Sequence, residues 1–352
     1  MARPLEESCR RFNAGELNPG SEDDVRLLMR GEGLKRLESF IFELLMQRAL
    51  GKYCGDLPTA YGWYVLPLDQ NEAGLWIRLQ AEAAPGPCDD ALLALLKKRS
   101  CSILKTRLPE GKTAFTACWY TEHGWGEERD LAALLQERFG SPGNIRQPTP
   151  APNERADVLL AALFKRLTPA EMRPLALSRI LVNCFIVPYI RSQPMDLDAV
   201  VLNDRQVLKF IEFKRKYPTR GMKFGLDTHP HAALIEWLHV TGHTLSNIVF
   251  VDPSRNKEIS PLHLLDGPAR QHARWVGAHI DPSCFEKNSL QTTGKDSGMY
   301  SYDRQQKAIR VERYMDLGVG FSPGKLKAFL NDEILPHTSA NQLNQDTAAA
   351  SR

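Results

Sequence analysis

Residues 194–218 read PMDLDAVVLNDRQVLKFIEFKRKYP, and the run VLKFIEF has the β-branched and aromatic composition of an interior strand, yet it carries Glu212 followed two residues later by Lys214. Side chains alternate faces along a strand, so Leu208, Phe210, Glu212 and Lys214 share one face, which begins apolar and turns charged partway. A buried carboxylate needs a cation, a metal or several hydrogen bonds. Positions i and i+2 lie about 6.5 to 7 Å apart, a poor geometry for direct contact, so a third species between acid and amine is expected. Thirteen residues separate Asp198 from Glu212, enough for one strand, a turn and a returning strand that brings the two carboxylates together. Two carboxylates suit a hard divalent cation, because Mg²⁺ takes one or two and fills its other positions with water and substrate phosphate. Lys214 would then position or help deprotonate a water and stabilise charge on an attacked phosphorus. Asp196 lies two residues before Asp198 on the same face; either could be the ligand, and Asp198 is favoured because it abuts the apolar AVVL.

An Asp at the start of a strand, a short hairpin, then Glu-x-Lys inside an apolar second strand resembles the PD-(D/E)XK nuclease superfamily, here over roughly residues 155–255. In that superfamily's core a helix precedes the hairpin, and a helix and another strand follow it. ILVNCFIVPYI, HAALIEWLHV and NIVFVD supply those elements. The resemblance implies an α/β, restriction-endonuclease-like core with a mixed central sheet flanked by helices. It implies hydrolysis of phosphodiester bonds, as a DNA endonuclease dependent on Mg²⁺, with Mn²⁺ able to substitute. Asp198 and Glu212 would be metal ligands, the Phe213 carbonyl a further ligand, and Lys214 would stand near the nucleophilic water. Many members also carry an acid on the preceding helix, for which Glu171 is the candidate; the literal Pro-Asp pair is absent, because Met195 separates Pro194 from Asp196. Rival readings are a non-catalytic module that binds nucleic acid or protein, and the same chemistry used as an antibacterial or antiphage toxin.

Lys209, Lys214, Arg215, Lys216, Arg220 and Lys223 fall within fifteen residues that contain one acid, and such a cluster would neutralise phosphates of a nucleic-acid partner. The bland alternative is a solvated basic loop. His239 and His243 have the spacing of a helical metal pair, but Gly242 ends the helix between them. His229 and His231 follow the basic loop, where a surface or capping role is expected for them. There is no GxxxxGK[ST] loop, GxGxxG fingerprint, serine-hydrolase or cysteine-protease pattern, so the sequence offers nothing for nucleotide hydrolysis, dinucleotide redox or acyl transfer of those types.

The positioning elements follow from periodicity. Glu22 to Tyr53 repeats apolar residues at three and four, a helix with a break at 31–33. YGWYVLPL and GLWIRLQAE read as a hairpin, DDALLALLKK as a helix, SILKTRL and TAFTACWYTE as a second hairpin, and ERDLAALLQERFG as a helix closed by Gly140. DVLLAALFKRL and MRPLALSRILVNCFIVPYIR read as helices, the second kinked near Pro188. ARWVGAHI, GMYSYDR and AIRVERYMDL are strands, and SPGKLKAFLNDEI is the last helix. The proline-rich stretch at 146–156 is the expected linker, between an α+β accessory domain (1–145) and the nuclease-like domain (157–336); 337–352 has the composition of a disordered tail. The accessory domain is the expected place for a protein partner or a homodimer contact.

At 352 residues, 43% hydrophobic, 25% charged and net +3, the chain is globular in composition and only mildly basic. Seven cysteines without a CxxC pair point to reduced, packing thiols. No stretch approaches eighteen uninterrupted apolar residues and the N-terminus is polar, so a cytoplasmic location without membrane association is expected.

Overall fold

LKFIEF of the run VLKFIEF opens a nine-residue strand, Leu208–Lys216, inside a mixed sheet. The computed structural model describes residues 4–30, 34–66, 74–80, 85–110, 112–143, 154–192, 194–219, 221–251, 273–287, 289–293, 303–320 and 322–343. The chain divides into two compact units, each built from separated segments: Met1–Leu37, Gly62–Pro85 and Ala94–Asp196 form the first, and Glu38–Tyr61, Gly86–Leu93 and Leu197–Arg352 the second.

In chain order the second unit contains α1 (Leu34–Tyr53, from Glu38 onward), β1 (Thr59–Ala60), β2 (Ala199–Leu202), β3 (Leu208–Lys216) and β4 (Lys223–Asp227). Then come α2 (Ala233–Val240), β5 (Leu245–Val251), β6 (Arg274–Ile280), β7 (Ser289–Thr293), β8 (Asp303–Arg310), β9 (Met315–Val319) and α3 (Pro323–Leu330). Among the described residues its main sheet has the order β1-β2-β3-β5-β6-β9, and β4-β8-β7 form a second, three-stranded sheet. β2 and β3 pair as the expected hairpin, with Ala199 opposite Ile211 and Leu202 opposite Leu208. β3 and β5 run parallel, with Glu212 at the register of Asn247, as a crossover through α2 requires. Every residue of β5 is buried, the pattern of a strand covered on both faces.

The core forms where α1 lays Phe42, Met46 and Leu50, spaced four apart on one helical face, with Ile211 and Phe213 of β3, Phe250 of β5, Trp275 of β6 and Phe329 of α3. Phe250 and Trp275 meet edge to face at 4.8 Å.

The first unit carries a sheet ordered Gly124–Trp125, Thr116–Thr121, Ser102–Arg107, Leu75–Leu79, Trp63–Leu66 and Met195–Leu197. Both expected hairpins form, pairing Tyr64 with Ile77 and Leu104 with Trp119. Helix Leu131–Phe139 starts where Asp130 accepts the Ala133 N–H and ends at Gly140, whose φ of 83° suits glycine. Ala170–Ile190 is long and apolar enough to cross a membrane by length and composition, but 56% of its apolar window is buried.

Four expectations need correction or placement. Glu38–Tyr61 belongs with the C-terminal strands and 157–196 with the first unit, because β1 closes the second unit's sheet by pairing Thr59 with Val201. Of the expected linker, 146–153 lies outside the described residues. The cysteines are not all reduced: Cys9 and Cys184 form a disulfide with their Cα atoms 5.4 Å apart, joining helix Pro4–Asn13 to the π-helical turn Leu181–Ile186. The tail is ordered to Leu343, because Thr338 donates its N–H to the Tyr314 carbonyl at 2.7 Å and Leu343 is buried; 344–352 lies outside the described residues.

Candidate active site

Apolar residues at the start of β3 bury the strand, and its charged residues emerge beyond the end of the β2 ladder. The last β2–β3 pair is Ala199 with Ile211. One residue before β2, the Asp198 side chain takes over from the backbone: the Phe213 N–H donates to Asp198 Oδ2 at 2.5 Å. N–H and C=O of one strand residue leave on the same edge, so the Phe213 carbonyl also faces the Asp198 edge. On the opposite edge, Asn247 Nδ2 donates to the Glu212 carbonyl at 3.3 Å, and Tyr314 OH donates to Asn247 Oδ1 at 3.0 Å. The backbone around Glu212 is thereby held from both sides.

Glu212 is buried at 3% exposure, and Lys214 donates Nζ to its Oε1. Direct contact between these two was not expected from i,i+2 spacing. The four-carbon lysine stem bridges the gap that their Cα positions leave. His231 Nε2 also lies 2.9 Å from Glu212 Oε1. A carboxylate only accepts, so Nε2 carries a proton in this contact. The ring's Nδ1 is enclosed and has no hydrogen-bond partner among the described residues.

The electrostatics follow from this arrangement. Burial alone would raise the Glu212 carboxyl, but the charges of Lys214 and His231 and their hydrogen bonds hold it down at about 2. Burial alone would lower the Lys214 amine, but Glu212, then Asp198, and also Glu43 on α1 raise it well above the ordinary lysine range. Lys214 is therefore an ammonium at neutral pH. It can stabilise negative charge and orient a water, while the role of base falls to another group.

The sequence-derived residues divide sharply. Asp198, Glu212, Phe213 and Lys214 come together. Asp196 lies on Met195–Leu197, in the sheet of the first unit, and is half-buried there. Glu171 closes the capping box of helix Pro169–Ile180 with Thr168, also in the first unit, so a local capping role replaces the expected one. The basic cluster is mostly committed inward: buried Lys209 pairs with Asp332 at 2.5 Å, Lys216 donates to the Gly225 carbonyl, and Lys223 pairs with Glu286. Arg215 is half-buried with Nη1 enclosed, and Arg220 lies outside the described residues.

Two residues enter that spacing did not select. His231 reaches Glu212 because Thr228–Ala232 forms a π-helical turn ahead of α2, which local sequence does not announce. Glu43 lies among the apolar SFIFELLM of α1, one turn before Gln47, whose Nε2 donates to the Asp198 carbonyl at 3.3 Å. A glutamate beside a buried helical stripe was the available signal, but 154 intervening positions hid its neighbours.

Asp198, Glu212 and the Phe213 carbonyl offer oxygen donors only, the set that a hard cation such as Mg²⁺ takes. Asp198 and Glu212 are the two carboxylates so placed, and among the described residues no three His, Cys, Asp or Glu side chains form a metal-holding group. That number fits Mg²⁺, which keeps water and phosphate as its remaining ligands. Scans of protein-family models, curated proteins and solved structures find no match to this chain.

Proposed function

We propose that the second unit is a divalent-metal-dependent nuclease of the PD-(D/E)XK type, hydrolysing phosphodiester bonds of DNA in the cytoplasm. The reading rests on one observation: the Asp198 carboxylate, the Phe213 backbone and the Glu212–Lys214 pair meet where the β2–β3 ladder ends. The order α1, β2, β3, α2 and parallel β5 is also that of the expected core, with α1 in place of the helix nearest in sequence. Bound at the oxygen donors of Asp198, Glu212 and Phe213, Mg²⁺ or Mn²⁺ would supply Lewis acidity to the phosphate and lower the pKa of the attacking water. The chain's own groups do the remainder. The Lys214 ammonium stabilises charge on the phosphoryl oxygens, Glu212 fixes the direction of that ammonium, and His231 fixes Glu212.

Incubation of the full chain with supercoiled plasmid and Mg²⁺ or Mn²⁺ tests the reading. Cleavage is expected, abolished by EDTA and reduced at least about 100-fold by Lys214→Ala or Glu212→Ala. An intact plasmid across both metals, linear and single-stranded DNA would remove it. A second reading has support in the same atoms: Glu212 is satisfied by Lys214 and His231, and Asp198 by the Phe213 N–H, as in a closed structural network. On that reading the unit is a non-catalytic binding module, and nucleic-acid binding survives both EDTA and Glu212→Ala.

A further inference from the structure

In the first unit the strands Ser102–Arg107 and Thr116–Thr121 pair with Leu104 opposite Trp119 and Lys105 opposite Cys118. Side chains alternate, so Tyr120 shares the face of Lys105. Trp125 pairs directly with Tyr120 and joins that face. The two rings meet at 79° with centroids 4.9 Å apart, forming a corner, and both are half-buried rather than enclosed. Lys105 Nζ stands 4.8 Å from the Trp125 ring centre, and Lys97 Nζ, from the last turn of helix Pro87–Lys98, stands 5.9 Å from that of Tyr120. Lys105 also feels the Glu128 carboxylate and hydrogen-bonds the Cys118 thiol. Arg107, on the same face, pairs with Glu128 at 2.6 Å.

We infer that this face binds single-stranded nucleic acid, with a base stacked in the Tyr120–Trp125 corner and phosphates held by Lys97 and Lys105. The charge argues for a polyanion, since Lys97, Lys105 and Arg107 carry three positive charges against the single negative charge of Glu128. The rings argue for a single strand, because only unstacked bases expose the flat faces that aromatic side chains receive, whereas a duplex hides them. The surface lies entirely in the first unit and uses no residue of the candidate active site, so it stands whether or not the second unit cleaves nucleic acid.

Fluorescence anisotropy tests it with the full-length protein in EDTA, where metal-dependent cleavage is suppressed. The probes are fluorescein-labelled dT20, rU20 and a 20-base-pair duplex, each titrated from low to moderate NaCl. At least one single strand is expected to bind about tenfold or more tightly than the duplex. Trp125→Ala should weaken that binding about tenfold and Trp125→Phe should largely restore it. Lys105→Ala should weaken it and reduce the slope of log K against log salt by about 0.7. Arg138→Ala serves as control: Arg138 is exposed and stacks 4.5 Å over Trp119 on the opposite face, so binding should not change. Circular-dichroism melts establish that each variant is folded. No binding by dT20 or rU20, tighter binding of the duplex, or wild-type affinity in folded Trp125→Ala and Lys105→Ala would overturn the inference. Trp125 and Lys105 lie in the first unit, so loss of binding in their variants is read separately from plasmid cleavage, on which the nuclease reading turns.

Discussion

His279 shows how burial decides a charge state in this fold. Its ring stacks on Phe329 with centroids 4.2 Å apart, Nδ1 lies 3.0 Å from Ser246 Oγ, and Nε2 lies 3.3 Å from Asp332 Oδ1. Burial, then the Lys209 ammonium, hold its pKa down at about 4, against the opposing pull of Asp332. A histidine whose folded pKa lies below its unfolded value of about 6.5 contributes fully above that value, and stability falls as pH drops toward 4, where the unfolded chain binds the extra proton. The full span is worth about 3 kcal/mol. Urea titrations at pH 7 and pH 4.5 should show a larger loss of midpoint in the wild type than in His279→Gln; equal losses would refute the assignment. The same residue scale separates what the sequence revealed from what it concealed. Glu212, Lys214 and Asp198 were legible because strand alternation and hairpin length place them without knowledge of any other element. Lys209 looked like a phosphate contact because sequence shows a charge but not its partner, and Asp332 lies 123 positions away.

At the level of elements, the sheet demands close approach at one point of β6. A Cβ on Gly277 would meet the Phe329 ring at 3.0 Å and Leu317 at 3.1 Å, both in the core that α3 and β9 seal. Those side chains are buried and have little room to move, so Gly277→Ala should destabilise the protein by roughly 1–3 kcal/mol through overpacking. Guanidinium unfolding monitored by tryptophan fluorescence measures this, and a wild-type midpoint would show that the helix can shift. Hairpins and helices were legible from their periods of two and of three to four. Asp196 and Asp198, however, read as sharing one strand face, whereas the chain forms Met195–Leu197 in one sheet and Ala199–Leu202 in another. Periodicity reports which residues alternate, and cannot report that the strand changes partners at Asp198, where a side chain replaces a backbone rung.

Across the whole molecule, a continuous cut in sequence does not match a unit assembled from separated segments. The proline-rich stretch suggested a single cut near residue 150, but composition contains no information about which distant segment completes a core. Residues 157–352 contain Asp198, Glu212 and Lys214, yet they lack Phe42, Met46 and Leu50 of α1 and the edge strand β1. Losing one large core side chain costs about 2–5 kcal/mol, so losing three exceeds much of the roughly 5–15 kcal/mol that holds a domain folded. They would also leave Ile211 and Phe213 facing water beside the candidate site. A fragment of 157–352 is therefore expected to give no cooperative thermal transition by circular dichroism and to bind a hydrophobic dye. Adding residues 38–61 and 86–93 through flexible linkers ahead of 197–352 should recover a cooperative melt, because it returns every missing segment of the second unit, including the helix face and β1. A sharp melt in 157–352 alone would show that α1 is dispensable and that the second unit's core is complete without it.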